Sequence, residues 1–160
     1  MKANKYFCTG TLALFLILLV AGCSENGSPN SYGENFPDFK KDRIEFTSEG
    51  LSEPLSSPFG EGKVYPLGKI RLDDGDLVAL IVLKDEAEPI GEVKAELIRQ
   101  GKRLDVITVA EADLGFYTYA EIELPSIRVF SESGGDEYGS TESVEEYQIG
   151  ESTFERVKGK

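Results

Sequence analysis

The chain has 160 residues, 40% of them hydrophobic, and a formal net charge of −12, enough for one domain with an ordinary core. It has no His and no Trp, and its few sulfur residues, Met1, Cys8 and Cys23, lie near the N-terminus. His triads, Cys–His nucleophiles, zinc sites with His or Cys ligands and haem ligation therefore lack their parts. The acidic balance disfavours nucleic acid, whose phosphates need basic neutralisation, and disfavours adhesion to anionic head groups.

In chain order, Lys2 and Lys5 precede an apolar run from Leu12 to Ala21. That run has the length of a secretory h-region and is short of the roughly 20 residues a membrane span needs. It closes on Leu19-Val20-Ala21-Gly22-Cys23, which resembles the lipobox of bacterial lipoproteins. The resemblance implies cleavage before Cys23 and two or three acyl chains, palmitate included, on that cysteine. One acyl chain binds a bilayer reversibly, whereas two or more anchor it stably. An ordinary secretory signal would instead leave Cys23 as a lone thiol in an oxidising compartment. Ser24 in place of aspartate implies the outer membrane under enteric-type sorting. The expected location is thus the bacterial cell envelope, lipid-anchored and facing the periplasm. Loss of Lys2 and Lys5 with residues 1–22 makes the mature form two charges more negative.

Ser24 to Asn35 reads as a flexible tether by composition, and Thr47 to Gly62 as a second loop. Between them, Arg43–Thr47 offers a short strand. The expected organisation is a signal peptide over 1–22, a lipidated N-terminus with tether and loop over 23–62, and a β-rich domain over 63–160. In that domain Val64–Leu72, Leu77–Lys84, Glu92–Arg99, Leu104–Ala110, Phe116–Leu124, Ile127–Ser131, Val144–Ile149 and Thr153–Val157 read as strands. Asp73-Asp74-Gly75-Asp76 and Gln100-Gly101-Lys102 supply hairpin turns. Leu77 to Leu83 is apolar on both faces and so belongs centrally. Helix competes only over Ala87–Gln100, against Pro89 and Gly91. The fold class expected is mainly β, an antiparallel meander forming a small barrel or a sandwich. Gly101-Lys102-Arg103-Leu104-Asp105, with the later Ile122-x-Leu124-Pro125-Ser126-Ile127-Arg128-Val129 step, resembles small uncharacterised envelope lipoproteins, a resemblance that carries no active residue.

Three carboxylates, Asp73, Asp74 and Asp76, share one turn and offer a weak cation site. Calcium takes about six to eight oxygens and the later bidentate glutamate is missing, so a plain hairpin turn is the stronger reading. Asp136, Glu137 and the acids from Glu142 to Glu155 form a second acidic zone, which reads as a solvated loop and edge or, alternatively, as a surface for a weak cation or a basic protein. Tyr117 and Tyr119 alternate away from the Thr118 and Ala120 face and offer an aromatic platform for a sugar ring or a partner protein, extended by Phe116, Tyr138 and Tyr147. Two tyrosines at i and i+2 also serve as cross-strand packing partners. So many acids make any chosen carboxylate pair uninformative about glycoside hydrolysis.

The residues point to a tethered, monomeric, non-catalytic binding or accessory module, with no cofactor and no catalytic residues. Its partners would be the membrane, through lipid on Cys23, and an envelope protein. The alternatives are a glycan-active hydrolase using paired carboxylates and a β-barrel carrier of small ligands. A hydrolase requires converging desolvated acids, a carrier an enclosed apolar cavity, and a binding module an open face or edge.

Overall fold

The computed structural model describes residues 32–60, 62–84, 91–113, 116–133 and 142–157. Cys23 and its signal, the Pro89 turn, and Asp136, Glu137 and Tyr138 lie outside the described residues. The fold is mainly β, with ten antiparallel strands in one sheet. They are β1 (Arg43–Glu45), β2 (Leu55–Ser56), β3 (Lys63–Arg71), β4 (Leu77–Lys84), β5 (Gly91–Arg99), β6 (Lys102–Asp113), β7 (Phe116–Glu123), β8 (Ser126–Ser133), β9 (Glu142–Ile149) and β10 (Phe154–Val157). Strands β2 to β10 lie side by side in sequence order, the meander expected from the short turns. Where helix competed with strand, Val93, Ala95 and Leu97 alternate into the core and β5 forms. Burial of an alternating face outweighs the helix propensity of its Glu, Lys and Ala residues.

The sheet ends at β2 and β10 without closing, so the architecture is sandwich-like and not a barrel. The cause lies at β6. It pairs with β5 along most of its length, but with β7 only at Glu111–Asp113 opposite Phe116–Thr118. Beyond that point the two halves splay. The vacated edge of β7 is taken by β1, with Ile44 opposite Ala120. Bulges at Pro66/Gly68, Val93/Lys94 and Leu97/Ile98 add local twist and bending, which folds the sheet over itself. Val78, Leu80, Val82, Val93, Ala95, Leu97, Ala120, Ile127 and Val129 fill the space between the halves, together with Ile44 and Phe154.

The other face of β4 is buried too, as its doubly apolar sequence requires. Leu77, Ala79 and Ile81 lie beneath Tyr32, Phe36 and Phe59. The three rings meet edge-on, Tyr32 to Phe36 at 5.5 Å and Tyr32 to Phe59 at 5.0 Å between centroids. Packed structure therefore reaches back to Tyr32, across much of the stretch whose composition suggests tether and loop. Gly33, with φ of 76°, lets this strap lie against the sheet, because a Cβ there would sit 3.0 Å from Leu77 Cδ1. Pro37 to Phe39 also bonds the edge of β3, through Lys69 N–H to the Pro37 carbonyl and Phe39 N–H to the Lys69 carbonyl, both 2.8 Å. With β2 on the rest of that edge, β3 is shielded from foreign strands.

Gly91 opens β5 where no side chain fits, since a Cβ would lie 2.7 Å from the Leu83 carbonyl and collide with the Phe46 ring. Gly91→Ala is expected to destabilise the fold by about 1–3 kcal/mol through overpacking, read as a lower midpoint in urea. At Gln100-Gly101 both residues have positive φ, 49° and 71°, the type I′ geometry that two-residue hairpins favour.

Side chains join the two halves where the ladder does not. The Asp105 carboxylate on β6 accepts from the Thr153 hydroxyl at 2.5 Å and the Phe154 N–H at 2.7 Å, at the start of β10. Arg99 Nη2 donates to the Gly150 carbonyl at 2.8 Å. Burial raises the Asp105 pKa, but hydrogen bonds from Thr153, Phe154 and Val106 outweigh it and hold the carboxyl below its usual range. A depressed acid stabilises the fold fully above its unfolded pKa of about 3.9, and that contribution is lost as pH falls through the lower folded value. Asp105→Asn should therefore flatten the acid limb of the stability curve below about pH 4. Urea melts at successive pH values check this, and an unchanged acid limb would remove Asp105 as the latch.

Candidate functional site

The outer surfaces of the two halves differ. That of the β3–β5 half lies under the Tyr32–Phe59 strap, whereas that of β7–β9 faces solvent, with Val144 53% exposed. Alternation decides which residues stand there. Thr118 and Ala120 are buried toward the core, so Tyr117, Tyr119 and Glu121 point outward from β7. The two-residue turn at Leu124-Pro125, a cis peptide, fixes the register to β8 and sets Tyr119 opposite Phe130. The next pairing sets Phe130 opposite Val144 on β9. The row Tyr119–Phe130–Val144 thus runs across three strands.

Tyr119 does not present a free ring face. Its ring stacks on Phe130 at 4.9 Å with planes 8° apart, and the Arg43 guanidinium of β1 lies 3.7 Å from the Tyr119 centroid. Because β1 and β8 flank β7 on opposite sides, the ring is held between the two. Stacking a sugar on Tyr119, as protein platforms for glycans do, is blocked on both faces. Tyr117 lies 6.0 Å from Tyr119, tilted by 35°. Burial pushes the Tyr117 hydroxyl above its usual pKa; hydrogen bonding to Arg43 opposes the rise and the Glu45 charge adds to it. Arg43 in turn pairs with Glu45 at 2.5 Å. Tyr119 is therefore a cross-strand packing partner, and Tyr117 packs beside it and hydrogen-bonds to Arg43 of β1. Phe116 and Tyr147 belong to the opposite face and do not extend the row.

Charges frame this row. Arg128 reaches Glu121 at 3.4 Å and Glu123 at 3.2 Å. Glu132 and Glu146 stand on the same outer face by register, on either side of Phe130 and Val144. With Glu45, the carboxylates outnumber Arg43 and Arg128. Sequence reading picked out Tyr117 and Tyr119 and missed Arg43, Phe130 and Val144. The signal for Phe130 was present, since a tight turn at Leu124-Pro125 dictates its pairing. Arg43 comes from a distant segment and no local pattern announces it.

The remaining candidates are occupied with structure. Asp73 and Asp74 open a short 3-10 turn, with Asp73 exposed. The Asp76 carboxylate pairs with Arg99 and accepts the Gln100 N–H at 3.2 Å. Among the described residues no group of His, Cys, Asp or Glu is placed to hold a metal ion. In the second acidic zone Glu145 accepts the Tyr147 hydroxyl at 2.6 Å and pairs with Arg156. The fully buried Glu96 pairs with Arg103 at 3.2 Å, and Arg103 also lies 4.8 Å from the Phe59 ring centroid. Open grooves lie among the described residues. One, about 630 Å³, runs between Phe39, Leu67 and Phe46 and the charged Lys41–Glu45 segment. Another, about 440 Å³, lies between Leu72, Arg99, Leu124 and Ile149.

Fold and surface together define an open, sandwich-like all-β domain with one outer face covered by the Tyr32–Phe59 strap and the other bare among the described residues. No family model, curated protein or solved structure matches the chain, so its role must be argued from these residues.

Proposed function

We propose that the protein is a lipid-anchored module of the bacterial envelope, probing partners by recognition and carrying out no bond chemistry. The observation that carries this reading is the bare outer face of β7–β9, with its Tyr119–Phe130–Val144 row. The lipobox resemblance at Cys23 supplies the anchor. Tyr32, nine residues after Cys23, packs on the opposite half, and nine residues reach about 30 Å at most. The strap that follows the proposed anchor lies on the half opposite the bare face, which favours presenting that face away from the bilayer. Confinement near the membrane raises the effective concentration toward envelope partners.

The rival readings lack support among the described residues. The space between the sheet halves is filled by side chains, where a carrier needs an enclosed apolar cavity. The buried carboxylate Glu96 is paired with Arg103, and the Asp105 carboxylate bonds Thr153 and Phe154, where a hydrolase needs two acids converging on a cleft. In-cell crosslinking of the tagged, lipidated chain tests the proposal. One dominant protein partner, lost in Cys23→Ser, is the expected result. No partner above background would sink it.

A further inference from the structure

Resting on that reading of the bare face, we propose that its partner is a cationic protein segment in which basic and aliphatic residues alternate at every second position. The strand register lays three parallel rows across β7, β8 and β9. The upper row holds Tyr117 and Glu132, the middle row Tyr119, Phe130 and Val144, and the lower row Glu121, Arg128 and Glu146. Along a strand, side chains on one face recur about every 6.7 Å. Glu132 and Glu146 therefore stand about 13 Å apart along the strand direction, with the apolar Phe130–Val144 pair midway.

The two carboxylates differ from their neighbours in what they face. Arg43 is matched by Glu45, and Arg128 by Glu121 and Glu123. Among the described residues the cations of this face are thus already neutralised, and Glu132 and Glu146 leave it with net negative charge. An extended segment reading basic-x-aliphatic-x-basic has the same 13 Å span between its cations, by the same period of about 6.7 Å. Laid along β8, it sets one cation over each glutamate and its aliphatic residue over Phe130 and Val144. Sheets pack face to face in this way at about 10 Å.

Charge also chooses between occupants. A second copy of the chain would bring the same surplus of carboxylates to the contact, and an anionic lipid surface would bring phosphates. Like charges brought together across an interface are strongly disfavoured. A simple polyamine would satisfy the glutamates and leave the apolar row in water. A basic-aliphatic protein surface satisfies both.

The probe is a fluorescein-labelled nonapeptide, Lys-Ser-Val-Ser-Lys-Ser-Val-Ser-Lys, capped at both ends, titrated against the full chain in neutral detergent with anisotropy as the readout. A peptide of the same composition in scrambled order is the control. The ordered peptide is expected to bind about tenfold more tightly than the scrambled one, and more weakly as salt rises. Val144→Glu, at an exposed position, should lower affinity about tenfold with an unchanged melting temperature. Glu132→Lys combined with Glu146→Lys should lose the lysine peptide and gain its glutamate counterpart. Equal binding of ordered and scrambled peptides, or no exchange of preference on charge reversal, would overturn the proposal. A partner found in cells to dock on this face through an acidic or neutral segment would overturn the cationic assignment alone. No docking at this face would take the broader reading with it.

Discussion

Ile44→Ala is expected to destabilise the protein by about 3 kcal/mol, and to lower its melting temperature by roughly 10 °C. Ile44 is fully buried and sits in a strand of only three residues. It pairs opposite Ala120 in the gap left where β6 and β7 part, and it packs with Leu80, Val109 and Ile127 in the core. Removing it leaves a cavity that rigid strands on both sides cannot close, so lost transfer energy and the cavity term add. Ile44→Val removes one methylene and should cost about 1 kcal/mol. The check is calorimetry of both variants. A loss below about 1 kcal/mol for the alanine variant would mean that β1 is an ornament and not part of the closure.

Arg103→Ala carries the second large effect, for a different reason. Glu96 has no exposed surface, and the Arg103 guanidinium lies 3.2 Å from its Oε1. Breaking a buried pair by deleting one partner costs about 3–5 kcal/mol, because the remaining charge stays buried and poorly compensated. Arg103 keeps 22% of its side-chain surface exposed, which lets water soften the loss toward the lower end, about 3 kcal/mol. Part of the loss is also packing, since the guanidinium lies against Phe59 and its stem covers apolar surface. Replacing both members, as in Glu96→Leu with Arg103→Leu, should recover most of the stability, since two apolar residues remove the desolvation penalty with the pair. Urea melts of Glu96→Leu, Arg103→Leu and the two combined form the cycle that measures the coupling. If the double variant is no more stable than Arg103→Ala, the pair is not what Arg103 contributes.

The core of the fold was legible because its strands are joined by short turns with their own chemistry. Asp73–Asp76 and Gln100-Gly101 mark hairpins, and each hairpin fixes the register of the strand that follows. The doubly apolar run of β4 likewise announced burial on two faces. What covers the second face was not legible. Tyr32, Phe36 and Phe59 are scattered among Gly, Asn, Pro and Ser, and composition there speaks for loop. Their contacts reach strands far along the chain, and pairing over such distances leaves no periodic trace in a short segment. The same reason hid Arg43, whose partner Tyr119 lies in β7. The choice between barrel and sandwich depended on a single event, the parting of β6 and β7, which alternation along β6 does not encode. Tyr117 and Tyr119 were placed on the correct face by period two, but their role depended on what stacks against them.

Site-specific photocrosslinking in cells decides whether the outer face of β7–β9 binds a partner. A photoreactive residue replaces Val144 on the bare face, and in a separate variant Leu55, which is 44% exposed on β2. One dominant protein adduct is expected from position 144, absent from position 55 and lost when Cys23→Ser removes the proposed anchor. Adducts of equal strength from both positions, or none from position 144, would contradict a binding role for the outer face of β7–β9.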